Sequence, residues 1–156
     1  MVLKNLENLK YLDMSELITD DGIMHLTNLI SLYTNMITTN NGITKLTNLT
    51  YLKINSSHID DHGISNLKNL EELRMGRHNS ITLKGLQLPK LIAITIYWDQ
   101  INLINNISTF KYLNVVFTDC PFKIQIETVE LIREERFKFI KVCEYSSTVT
   151  FQNNNI

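Results

Sequence analysis

The tetrad L-x-N-L returns along this chain at a nearly fixed interval, and the interval limits what the chain can fold into. It reads Leu6-Glu7-Asn8-Leu9, Leu26-Thr27-Asn28-Leu29, Leu46-Thr47-Asn48-Leu49 and Leu67-Lys68-Asn69-Leu70. Degenerate copies stand at Leu88-Pro89-Lys90-Leu91 and Ile107-Ser108-Thr109-Phe110. The last residue of each tetrad opens a unit of the form L-x-x-L-x-apolar. The units are Leu9/Leu12/Met14, Leu29/Leu32/Thr34, Leu49/Leu52/Ile54, Leu70/Leu73/Met75, Leu91/Ile94/Ile96 and Phe110/Leu113/Val115. Their first residues are 20, 20, 21, 21 and 19 positions apart, and a seventh copy, Phe137/Ile140/Val142, follows after 27. A fixed period of this size marks a stack of repeated supersecondary units.

Within a unit, the apolar fourth and sixth positions alternate with variable ones. Period-two alternation predicts a short strand with one face inward. A polar turn follows, then an apolar residue and a glycine: Ile18 and Gly22, Ile37 and Gly42, Ile59 and Gly63, Ile81 and Gly85. Twenty residues leave room only for a short helical or 3₁₀ return, for which Asp20, Asn40 or Asp60 is the expected N-cap. No single unit closes a core, so stability comes from stacking each on the next.

These residues resemble the leucine-rich repeat family, in the short 20–21-residue, internalin-like style, over about residues 3–143. The resemblance implies an α/β solenoid, a horseshoe with a parallel concave β-sheet and short helical or 3₁₀ convex turns. The family pattern expects Asn, Cys or Thr at the ninth position of the unit. Here that position reads Leu17, Ile37, Ser57, His78, Asp99 and Thr118, so the expected asparagine ladder is mostly missing. Residues 1–117 read as six regular repeats. Residues 118–156 read as an irregular seventh repeat with a C-terminal cap and tail, including an amphipathic helix over 127–136. Repeat-like sequence starts at Leu3 with no polar cap before it. That start fits a fragment of a larger repeat protein, a tolerated edge, or an edge that pairs with a second copy.

A chain of 156 residues with 44% hydrophobic content suits one domain. Fifteen Lys and Arg stand against sixteen Asp and Glu, a balance that argues against a nucleic-acid or membrane-surface binder. No run approaches the length of a membrane span, and the start MVLKNLENLK has no signal-peptide pattern, so a cytoplasmic location is expected. Cys120 and Cys143 cannot form a disulfide scaffold and lack the His-and-acid company of a nucleophile. His58 and His62 are four apart, but the register puts them on a turn without further ligands, so no metal is expected. The pairs Asp20-Asp21 and Asp60-Asp61 read as turn residues rather than calcium ligands. With five glycines and no phosphate-loop or hydrolase motif, no cofactor and no catalytic residue are expected.

The second, third, fifth, seventh and eighth positions of each unit face outward from the strand. Five of the six tyrosines and the single tryptophan fall there. Tyr, Trp and Arg are enriched at the energetic centres of protein interfaces. The candidate partner-binding residues are therefore Tyr11, Asp13, Tyr33, Tyr51, Lys53, Arg74, Tyr97, Trp98 and Tyr112. The competing reading is that tyrosine simply suits strands. The expected function is a non-enzymatic protein–protein interaction module that takes a protein partner on its concave strand face. The alternative is a structural or substrate-receptor portion of a larger or self-associating repeat protein.

Overall fold

The computed structural model describes residues 6–14, 18–82 and 84–97, and the backbone of 114–118, 139–144 and 147–152. The chain divides into two compact units, Met1–Leu91 and Ile92–Ile156.

In the first unit, strands and short helices alternate. The order is β1 (Tyr11–Asp13), α1 (Asp20–Ile23), β2 (Ser31–Tyr33), α2 (Asn40–Ile43), β3 (Tyr51–Ile54), α3 (Asp61–Ile64) and β4 (Glu72–Met75). All neighbouring strands pair in parallel, with Leu12, Leu32, Leu52 and Leu73 side by side. The pairing register therefore equals the sequence period. This is a repeat-like α/β architecture built on a parallel sheet.

Alternation along each strand sends its apolar residues into the core. Leu32, Leu52, Leu73 and Ile54 are buried, as are Ile23, Ile43 and Ile64 from the helices and Leu26, Leu46 and Leu67 from the following turn. At about 1.5–3 kcal/mol for each such side chain, the layers between neighbouring repeats supply much of the cohesion.

Three details differ from the sequence reading. Ile37 does not enter the core; it is 40% exposed, and Thr38 takes the buried slot that Ile18, Ile59 and Ile81 fill elsewhere. The inward residue lies four positions before the glycine in each of the first four units, and the apolar Ile37 beside Thr38 pulls the sequence phase off by one. The Thr38 hydroxyl is satisfied in the core because it donates to Asn35 Oδ1.

The second difference concerns the seventh and eighth positions, which do not always point outward. Asn35 and Ser56 are buried and organise the bend after the strand. Asn35 Nδ2 donates to the Ile18 carbonyl, and its Oδ1 accepts from the amides of Ile37 and Thr38. Ser56 Oγ donates to the carbonyls of Met36 and Thr38 and accepts from the His58 amide. The polar residue that satisfies the bend backbone thus precedes the ninth position by one or two residues. Buried backbone groups demand such partners wherever the side chain can reach them.

The third difference is the role of the residues expected to cap the helices. Only Asp60 does so, accepting from the His62 amide. Asp20 and Asn40 are the first residues of their helices, and the N-caps are Thr19 and Thr39. Asp20, Asn40 and the equivalent Asp61 instead reach forward to the cap of the next repeat. Asp20 accepts from the Thr39 amide and hydroxyl, and Asp61 from those of Thr82. Asn40 accepts from the Asp60 amide at 3.1 Å and donates to Asp60 Oδ1 at 2.8 Å. Where the cap is threonine, its partner is a carboxylate; where the cap is a carboxylate, its partner is an amide with protons to give. The glycine at the equivalent place in the next repeat, in α2, α3 and the turn at Gly85, makes room for this contact. A Cβ on Gly42, Gly63 or Gly85 would stand 2.5, 2.2 or 2.2 Å from the acceptor oxygen of Asp20, Asn40 or Asp61.

The Asn of the tetrad forms a second inter-repeat row. The Nδ2 atoms of Asn28, Asn48 and Asn69 donate to the carbonyls of Glu7, Thr27 and Thr47. An asparagine ladder is present, at the tetrad rather than at the ninth position.

In the second unit, β5 (Ala93–Tyr97), β6 (Asn114–Thr118) and β7 (Phe139–Glu144) pair in parallel, and β8 (Ser147–Gln152) returns antiparallel to β7. The seventh repeat strand therefore joins its neighbour. Val115 stands opposite Ile94 and Ile140, two residues later than the Leu113 alignment expected from the sequence. A continuous alternation fixes which residues share a face, but a slip of two preserves that parity. The degenerate tetrad Ile107-Ser108-Thr109-Phe110 is too weak a marker to fix the remaining choice. The expected helix over 127–136 lies outside the described residues. Among the described residues, no helix is long and apolar enough to cross a membrane.

Candidate functional site

On β1–β4 the same alternation that buries the leucines turns two rows of side chains away from the core. The third-position row runs Tyr11, Ser31, Tyr51, Glu72 across the four strands, and the fifth-position row runs Asp13, Tyr33, Lys53, Arg74. Six of the nine sequence-derived candidates, Tyr11, Asp13, Tyr33, Tyr51, Lys53 and Arg74, therefore share one sheet face. Tyr97 ends β5 in the second unit and is half-buried. Trp98 and Tyr112 lie outside the described residues.

Cations and rings pair both within a row and between the two rows. Lys53 Nζ sits 3.9 Å from the centre of the Tyr33 ring on the preceding strand. Arg74, one strand on, reaches diagonally to the other row, with Cζ 5.3 Å from the centre of the Tyr51 ring. A cation over the electron-rich face of an aromatic ring is attracted by its quadrupole, and the contact fixes both side chains. Arg74 Nε also donates to Glu72 Oε1 at 2.7 Å, a charge-assisted bond that raises the guanidinium pKa above its ordinary value. Tyr11, at the end of the row, is 69% exposed.

Between the rows lies an open depression of about 490 Å³, lined by Tyr11, Asp13, Ser31, Tyr33, Tyr51 and Lys53, with Leu12 beneath. Ser31 and the Arg74 partner Glu72 were not singled out in the sequence. Ser31 is small and sits between two tyrosines in its row, which is what opens the depression. The signal was present in the strand register, but it requires knowing that the third positions are adjacent.

A second hollow, of about 550 Å³, lies by α3 and includes Asp60, Asp61, His62, Lys68 and Lys84 in its wall. Its acids already have structural work. Asp61 holds Thr82, and Asp60 caps α3 and accepts from Asn40. The Asn40 hydrogen bond, helped by the His62 amide, holds the Asp60 pKa below the ordinary aspartate value. His58 and His62 are both exposed, and among the described residues no three His, Cys, Asp or Glu side chains converge.

No protein-family model matches the chain, and no curated protein matches it.

Proposed function

We propose that this chain is a protein-interaction module of the leucine-rich repeat kind, binding a protein partner without catalysis through the open strand face of β1–β4. In this reading the open face is the concave lining of the horseshoe. The observation that carries it is the pair of outward rows, in which tyrosines and cations are already locked against one another. Side chains held before the partner arrives cost less conformational entropy on binding. Tyr and Arg are also the residues that most often dominate interface energetics. A wide, shallow surface suits protein recognition better than small-molecule chemistry, which favours deep concave pockets. The parallel register and the short helical returns support the repeat assignment, because both recur with the sequence period.

The test is partner capture by the wild-type chain and by the Tyr33→Ala/Tyr51→Ala/Arg74→Ala variant, with circular dichroism on both. All three side chains face away from the core, so the variant is expected to keep its fold and lose the captured partner. Equal capture by a folded variant would refute the assignment of the binding face.

A further inference from the structure

The fifth-position row carries an unusual order of charge. Asp13 stands at one end, Tyr33 follows, and Lys53 and Arg74 stand directly opposite one another across β3 and β4. Like charges in directly paired positions repel and destabilise a sheet. Glu72 relieves only part of this, because it takes the Nε side of Arg74. The set Lys53, Glu72, Arg74 keeps one net positive charge. Lys53 has the Tyr33 ring beneath it, and no carboxylate pairs with it among the described residues. Asp13 likewise has no ion pair among the described residues. The row is therefore a surface dipole, negative at β1 and positive at β3–β4, with Tyr33 between.

Spacing converts this dipole into a partner specification. Adjacent strands lie about 4.8 Å apart, so Asp13 is separated from Lys53 by about 10 Å and from Arg74 by about 14 Å. An extended segment lying across the strands presents the same side every second residue, or about 6.7 Å. Its fourth residue onward falls about 13 Å away, between the two cations. We propose that this row reads an extended segment of a protein partner carrying a basic residue over Asp13 and an acidic residue four positions away, over Lys53 and Arg74. The residue midway faces the Tyr33 ring. The inference rests on the reading of the strand face as a docking surface, and it adds the charge order and spacing of what docks.

Selection of a randomised displayed-peptide library on the full chain tests it. Parallel selections use the full chain carrying Lys53→Glu/Arg74→Glu, and carrying the milder Lys53→Gln/Arg74→Gln in case the first perturbs the sheet. Wild type is expected to enrich peptides with a basic and an acidic residue four apart. Both variants are expected to lose the acidic preference. Replacing the acidic residue of an enriched peptide with Gln is expected to weaken binding by about fivefold, the upper range for one exposed pair, and added salt is expected to shrink that difference. Enrichment without an acidic preference, an unchanged preference on both variants, or no enrichment would overturn the proposal. Two failures separate cleanly. Peptides that need Tyr33 and Tyr51 but show no charge spacing overturn the charge order and leave the docking face standing. Peptides indifferent to Tyr33→Ala and Tyr51→Ala remove the docking face itself.

Discussion

Asn40→Asp sets two carboxylates where the structure has an amide donating to a carboxylate. The Asn40 Nδ2 to Asp60 Oδ1 bond is 2.8 Å long, and the acceptor side of Asn40 holds the Asp60 amide. An aspartate keeps the acceptor but loses the donor, which removes about 1 kcal/mol. Two charges about 4 Å apart repel by about 1 kcal/mol in water-like surroundings and more where solvent is excluded. Both side chains are solvent-accessible, so the lower figure applies, and the expected loss is about 2 kcal/mol near neutral pH.

The pH dependence carries the sign. In the wild type, Asp60 titrates below its ordinary value because Asn40 and the His62 amide stabilise the carboxylate. That contribution is present above the unfolded pKa and is lost as pH falls through the lower folded one. In Asn40→Asp the neighbouring charge pushes the pair upward instead, so stability relative to wild type recovers on acidification. Asp60→Thr in the Asn40→Asp background rebuilds the carboxylate–threonine pairing of Asp20 with Thr39 and Asp61 with Thr82, and should recover most of the loss. Urea denaturation, read as the shift in midpoint at constant slope, measures each variant. An Asn40→Asp chain as stable as wild type at neutral pH, or no recovery on adding Asp60→Thr, would refute the pairing logic.

Two further outcomes follow from the same contacts. Gly63→Ala drives a Cβ to 2.2 Å from Asn40 Oδ1. It should cost about 1–2 kcal/mol despite the better helix propensity of alanine, and should become nearly neutral in an Asn40→Ala background, as a double-mutant denaturation cycle would show. Asn35→Ala strips the part-buried Ile37 amide, the buried Thr38 amide and the Ile18 carbonyl of their partner. A loss of about 3 kcal/mol is expected, with amide exchange accelerated at Thr38; unchanged exchange there would contradict the assignment.

Positions whose role is purely apolar were legible in the sequence. Leu32, Leu52 and Leu73 repeat in phase, and burial of one face is all that phase needs to announce. Thr38 was hidden because its burial depends on a hydroxyl partner, Asn35, which hydropathy does not register. The roles of Asn28, Asn48 and Asn69 were hidden for a related reason. Each side chain is spent on a backbone carbonyl 21 or 22 residues away, and no local rule links the two. Asp20 and Asn40 looked like caps because cap and ladder residues are adjacent and share composition. One clue was available: the cap changes from Thr39 to Asp60 as the residue facing it changes from Asp20 to Asn40. For the candidate face, period two was enough to collect Tyr11, Tyr33 and Tyr51 on one side. The seating of Lys53 on the directly paired Tyr33, and of Arg74 diagonally on Tyr51, required the inter-strand register, which periodicity does not specify.

The forward-reaching acceptors also bear on how such a chain changes length over generations. Each repeat carries a forward-reaching side chain that the cap of the next repeat must match, so a repeat is exchangeable only with one whose cap has the complementary donor or acceptor. Duplication of a segment running from one glycine to the next would copy cap and acceptor together. The new junction would then join Asp to Thr or Asn to Asp, or mismatch them, according to which repeat was copied and where it landed. The two chemistries divide the repeats into compatible and incompatible neighbours, and so restrict the order in which copies can accumulate.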